Sequence, residues 1–167
     1  MATVPLSRCL HNGERFDSYQ ADCEGQSVDV LLGYVLAYAP LTRYYHPGIG
    51  EHDVTTRGTP PGYRYEGTFG LLAMSNEPGT QLVKSCVDGT DRFLSLDPAC
   101  EGKTVWRDIG YLWTQPPAGL PSTPLYRCAS GSGPSAGELF FSVDANCEGQ
   151  TVRGLVGHVL RAAPPAV

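Results

Sequence analysis

The chain has 167 residues with 20 Gly and 14 Pro, and only 17% of its positions are charged; this composition suits one domain and excludes long helices. Lys+Arg 12 against Asp+Glu 17 leaves a net charge of −5, and no basic run occurs, which disfavours nucleic acid or an anionic membrane as partner. The opening MATVPLSRCL has no charged start followed by an apolar stretch, and no window approaches the length of a membrane span, so no membrane insertion is expected.

In chain order, Leu6 to His11 and Arg15 to Tyr19 flank Asn12-Gly13, a step that accommodates the positive φ angles of a tight hairpin. An Asp-x-Cys-Glu-Gly turn follows, then an apolar run from Val30 to Tyr38 that reads as a third strand. The whole segment Pro5 to Pro40 then recurs, with Asp88-Gly89 at the turn and Ile109 to Thr114 as third strand, and again with Leu155 to Leu160 as third strand. The last copy expands its turn into SGSGPSAG, Ser130 to Gly137. The stretch after Pro40 keeps the frame as a divergent copy: Pro40-Leu41-Thr42-Arg43 matches Pro5-Leu6-Ser7-Arg8, and Glu66-Gly67 is aligned with Glu24-Gly25. In that alignment the divergent copy lacks five residues before its third strand. The chain is thus a single domain, 1–167, of four repeats spanning 5–40, 40–79, 81–119 and 123–164. Three strands in each predict an all-β fold: a closed, pseudo-symmetric, propeller- or trefoil-like body, with fourfold or two-plus-two order favoured by the copy number.

The six cysteines, Cys9, Cys23, Cys86, Cys100, Cys128 and Cys147, include no CxxC, which gives zinc or thioredoxin-like chemistry little support. The alignment places Tyr44 at the position of Cys9 and Tyr65 at that of Cys23, so both cysteines vanish together. Residues lost as a pair are read as a pair, giving the bridges Cys9–Cys23, Cys86–Cys100 and Cys128–Cys147; six reduced thiols are the alternative. Bridges imply an oxidising compartment, hence a secreted or extracellular protein.

The strings Pro124 to Cys128, Asp91 to Pro98, Cys147 to Val152 and Leu31 to Val35 resemble an uncharacterised tandem-repeat family, whose units occur as appendages to secreted bacterial and fungal proteins, wall-active enzymes among them. The divergent copy, with Tyr44-Tyr45-His46-Pro47 and Tyr63 to Gly67, looks like a cysteine-free variety of the unit. The resemblance implies a binding module, with a glycan or cell-wall polysaccharide as ligand.

Repetition also sorts the polar residues. The Glu-Gly pairs Glu24-Gly25, Glu66-Gly67, Glu101-Gly102 and Glu148-Gly149 recur and read as scaffold, with Arg8, Arg43 and Arg127 as clamps for the Glu within each unit and Ser85 in the third. Four equivalent Glu residues do not provide the two unlike carboxylates that hydrolysis needs. His46 and His52, with Glu51 and Asp53, form at most a weak metal cluster, and Asp88, Asp91 and Asp97 lack EF-hand spacing. No metal, no cofactor and no catalytic residue is assigned. Aromatics carry the recognition signal: both tryptophans lie in Trp106 to Trp113, and alternation puts Ile109, Tyr111 and Trp113 on one face. Trp106, Arg107 and Asp108, with Tyr111 and Trp113, are the candidate ligand site. The expected function is a non-catalytic, lectin-like carbohydrate-binding module, multivalent through its repeats. The alternative is a protein-interaction module, such as a protease inhibitor or toxin-associated domain, presenting the loop Ser130 to Gly137.

Overall fold

The computed structural model describes residues 3–131 and 137–164; residues 132–136, in the expanded turn, lie outside them. The described residues form an all-β protein of twelve strands: β1 (Thr3–His11), β2 (Glu14–Ser18), β3 (Ser27–Leu36), β4 (Tyr38–His46), β5 (Glu51–Thr55), β6 (Arg64–Ala73), β7 (Thr80–Asp88), β8 (Asp91–Ser95), β9 (Thr104–Trp113), β10 (Ser122–Ala129), β11 (Leu139–Ser142) and β12 (Thr151–Leu160). They pair in triplets. In each, a first strand hydrogen-bonds antiparallel to the second through a hairpin and to the third on its other edge. The first hairpin turns on Asn12 and Gly13, both with positive φ, as a two-residue turn requires.

Two bulges interrupt every pairing of first with third strand, at matching registers. One skips Leu32, Phe69, Ile109 and Val156; the other skips Asp29, Glu66, Trp106 and Arg153. A bulge adds a residue and reverses the alternation beyond it. Ile109 therefore packs with Leu112 in one cluster while Tyr111 and Trp113 belong to another, and the single face expected for Ile109, Tyr111 and Trp113 does not exist.

The sheets are open and divide three and nine: β2-β1-β3 stands alone, and the other nine strands form one sheet. Neither the closed body nor the fourfold or two-plus-two order is what forms. Within the nine, β6, β9 and β12 each pair with the other two, through Leu71–Leu160, Tyr111–Ala73 and Trp113–His158. The core is built from corresponding positions of these three triplets. Leu41, Val83 and Leu125 come from first strands, Val54, Leu94 and Phe141 from second strands, and Leu72, Leu112 and Val159 from third strands, with Phe69, Ile109 and Val156 from the bulges. Glycine permits the close approach of the third strands. A Cβ on Gly157 would lie 2.6 Å from the Trp113 carbonyl oxygen, one on Gly70 2.6 Å from that of Leu160, and one on Gly110 3.0 Å from that of Ala73.

The three expected disulfides are present, each with a Cα–Cα distance of 5.6 Å. Each closes a short loop and adds about 3 kcal/mol through the unfolded state. The second cysteine of each opens a Cys-Glu-Gly turn whose three residues all have positive φ. The second triplet corrects the sequence alignment at this point. Its connection between second and third strands, 56–63, is as long as 19–26, 96–103 and 143–150, so nothing is missing there. Gly62, at φ 82°, stands where Gly25, Gly102 and Gly149 stand at 81°, 82° and 82°. Pro60-Pro61-Gly62 therefore replaces Cys-Glu-Gly, and Tyr65 and Glu66 belong to β6. Tyr44 and Tyr65 still meet, edge to face at 6.3 Å, with Tyr65 at the level of Val28 rather than of Cys23.

Leu72→Ala, a truncation at a fully buried position, is expected to cost about 2–5 kcal/mol, and Gly157→Ala about 1–3 kcal/mol by overpacking against β9. Urea unfolding checks both; a Gly157→Ala midpoint equal to that of the parent would contradict the close approach.

Candidate functional site

The junctions between triplets concentrate the charged side chains. Arg43 donates a two-pronged pair of hydrogen bonds to Glu148, at 2.7 and 3.2 Å, and its Nε lies 2.8 Å from Glu66. Arg127 donates the same fork to Glu101, at 2.7 and 3.0 Å. Each acceptor is also held by a serine hydroxyl, Ser142 on Glu148 and Ser95 on Glu101. The Arg hydrogen bonds outweigh partial desolvation, so both carboxyls titrate below the usual range. Arg43–Glu66 matches the within-unit clamp, but the forks join different triplets, and Arg8 bonds Asp29 at 2.7 Å rather than Glu24. The Glu24 carboxylate instead accepts from Ser18.

At the third junction the arginine position is Ser85 and the glutamate position is Pro61. Another device fills the space. Arg92 lies 3.9 Å over the Trp106 ring and 5.8 Å from that of Tyr63, and it bonds buried Asp53 at 3.0 Å. Arg107 lies 4.5 Å from the same Trp106 ring. Desolvation, with Arg57 and Arg92 adding like charge, lowers the Arg107 pKa despite nearby Asp53.

The five residues singled out from the sequence fall in three places. Trp106 and Arg107 belong to this junction, where guanidinium groups engage the indole. Trp113 is buried, stacked with Tyr38 in the core. Asp108 and Tyr111 line a cleft of about 340 Å³ between the first triplet and the nine-stranded sheet. The first triplet supplies Asp17, Tyr19, Gln20 and Glu24 to its lining, and the loop after β5 supplies Thr56 and Arg57. Asp108 is held by Lys84 at 2.6 Å, while burial, then Asp108 and Glu24, raise the Tyr111 pKa. Sequence reading missed Asp17, Gln20 and Arg57, because no periodicity links a hairpin of the first triplet to a loop of the second.

A second groove, of about 360 Å³, runs beside Arg43, Tyr45, Glu66, Glu148 and Gln150. Next to it His52 bonds Glu138 at 2.8 Å through Nδ1, and this partner raises its pKa against the effect of burial. His46 packs on Tyr63 instead, so the two histidines serve different neighbours. Asp88 bonds Lys103, Asp97 accepts from the backbone of Ala99 and Glu101, and Asp91 faces Glu51 and Glu138. Among the described residues, Glu51, Asp91 and Glu138 are the set that could hold a metal ion, their ligand oxygens all within 4.8 Å of one another. Searched against family models, curated proteins and solved structures, the chain finds no match.

Burial, then Glu138 and Asp88, lift the Asp91 pKa from 3.8 to about 6. A folded carboxyl with a raised pKa is ionised above pH 6 at a cost the unfolded chain does not bear. As pH falls from about 6 towards 4, the folded state gains a proton that the unfolded state still lacks, so stability rises. Asp91→Asn is expected to raise Tm at neutral pH and to flatten this acid-side gain. Thermal melts across that window check it; an unchanged Tm and slope would refute the assignment.

Proposed function

We propose that the protein is a secreted, non-catalytic carbohydrate-binding module whose principal site is the cleft beside Tyr111. One observation carries the reading. The cleft sets carboxylates (Asp17, Asp108), an amide (Gln20) and a guanidinium (Arg57) around the rings of Tyr19 and Tyr111. A sugar needs such a set: an aromatic face for its C–H groups and oriented donors and acceptors for its hydroxyls. The groove beside Arg43 and Tyr45 serves as a weaker second site, so a repeating glycan or cell-wall polysaccharide gains avidity. In this reading the four triplets are copies of one unit: the second, third and fourth make a trefoil-like body, and the first stands beside it. Matching bulges and the recurring Cys-Glu-Gly turn support that division, as does the likeness to the repeat family appended to wall-active enzymes. Three disulfides support secretion.

A second reading, a protein-interaction module, is favoured by the exposed apolar side chains of β3. The loop first expected to carry it falls mostly outside the described residues.

Titration calorimetry against a panel of wall and storage oligosaccharides tests the first reading. Binding is expected, with Tyr111→Ala and Asp108→Ala each weakening it at least about tenfold, on the order of a lost stacking contact or charged hydrogen bond. Trp106→Ala is expected to lower Tm and leave affinity unchanged. No heat with any glycan would end the carbohydrate reading; loss of binding in Trp106→Ala alone would move the site to the third junction.

A further inference from the structure

The first triplet carries the residues of a core it does not have. Its Leu6, Leu32 and Val35 stand at the positions by which the other three triplets build their shared core, and Leu36 stands where Ala73, Trp113 and Leu160 are buried. Yet Leu32, Tyr34 and Leu36 are 48%, 68% and 49% exposed, whereas Ala73, Trp113 and Leu160 are at most 4%. Gly33 repeats the pattern. It aligns with Gly70, Gly110 and Gly157, each crowded by a carbonyl of a neighbouring third strand, but a Cβ on Gly33 would meet nothing within 4 Å.

Charges follow the same rule. In the nine-stranded sheet the clamp runs in one direction, from Arg43 to Glu148 and from Arg127 to Glu101. The corresponding pair in the first triplet is Arg8 and Glu24, and Glu24 has no arginine partner among the described residues. His52 bonds Glu138 across a junction; the corresponding pair is Arg15 and Glu14, which no junction joins. One junction's worth of complementary charge thus stands beside these exposed apolar side chains, with Arg8 and Arg15 resting on Asp29 in the single chain.

We infer that this face is one third of a second core, completed by the first triplets of two further copies of the chain in a cyclic trimer. The occupant is a copy of this chain because the face is complementary to its own counterpart: Gly33 to the carbonyl of Leu36, Arg8 to Glu24 and Arg15 to Glu14, each across a rotation that closes after three. In the nine-stranded sheet β6, β9 and β12 already meet in that cyclic order, covalently joined. The inference rests on reading the triplets as copies of one unit; the Gly157→Ala unfolding experiment separately tests the close approach of third strands that it carries over to Gly33, without reference to mass. One position opposes assembly. Asp17 stands where Val54, Leu94 and Phe141 enter the core, and in the single chain it lines the cleft beside Tyr111 with Glu24, so assembly draws both out of that cleft and brings three carboxylates together, which holds the trimer well short of the affinity its apolar area alone would give.

Sedimentation velocity and light scattering from micromolar to millimolar concentration test the assembly. The expected result is a species of three times 17.9 kDa, in exchange with monomer. Leu32→Asp with Leu36→Asp alters side chains exposed in the single chain, so it should keep the monomer's Tm and abolish the trimer. Arg8→Glu should raise the trimer's dissociation constant at least about tenfold, and Asp17→Leu should lower it by a similar factor. Monomer mass at every concentration in both the parent and Asp17→Leu overturns the inference, as does a dimer, or a trimer that the double aspartate variant leaves intact.

Discussion

Backbone meets backbone where β6, β9 and β12 converge, and the rest of the molecule is arranged around that approach. A carbonyl of each strand comes close to a glycine of the next, leaving no room for a Cβ at Gly70 or Gly157 and only a tight fit at Gly110. The bulge just before that glycine turns Phe69, Ile109 or Val156 inward, beside Leu72, Leu112 and Val159. Burial of this apolar set is the main favourable term, and the bulges let one strand face the core with residues on both sides of its pleat. The hairpins, clasps and charged forks of the nine-stranded sheet hold this contact from outside.

Much of the plan was legible in the sequence because it recurs. Asn12-Gly13, Asp88-Gly89 and the Cys-Glu-Gly string fixed hairpins and turns, and joint loss of two cysteines gave the correct bridges. The same method failed in the second triplet. Glu66-Gly67 imitates Glu24-Gly25 in letters, while the true counterpart, Pro61-Gly62, shares only its glycine and a backbone angle. Letters were matched where conformation should have been. Alternation failed for a similar reason: a bulge leaves no mark in composition, so Ile109 was grouped with Tyr111 and Trp113 rather than with Leu112.

The candidate site was legible only in halves. Asp108 and Tyr111 belong to the cleft, but its lining also includes Asp17, Tyr19 and Gln20, which tertiary docking alone brings near. Trp106 drew attention as one of two tryptophans in a single segment, next to Arg107 and Asp108. Its place at a bulge, beneath Arg92, makes it the cationic–aromatic substitute for the Arg–Glu forks of the other two junctions. Trp113, the second tryptophan, packs inside, as large aromatics mostly do.

The second triplet lacks a disulfide, and side-chain pairs tie it to both of its neighbours in the nine-stranded sheet. Arg43 grips Glu148, His52 bonds Glu138, and Asp53 with Tyr63 receives Arg92. In the second triplet non-covalent restraint between triplets thus stands alone, where the third and fourth have a covalent one as well. A triplet of this build can hold its hairpin in place without a cross-link when the adjoining triplets grip it. Cysteine content alone is therefore a poor measure of how firmly a given triplet is held.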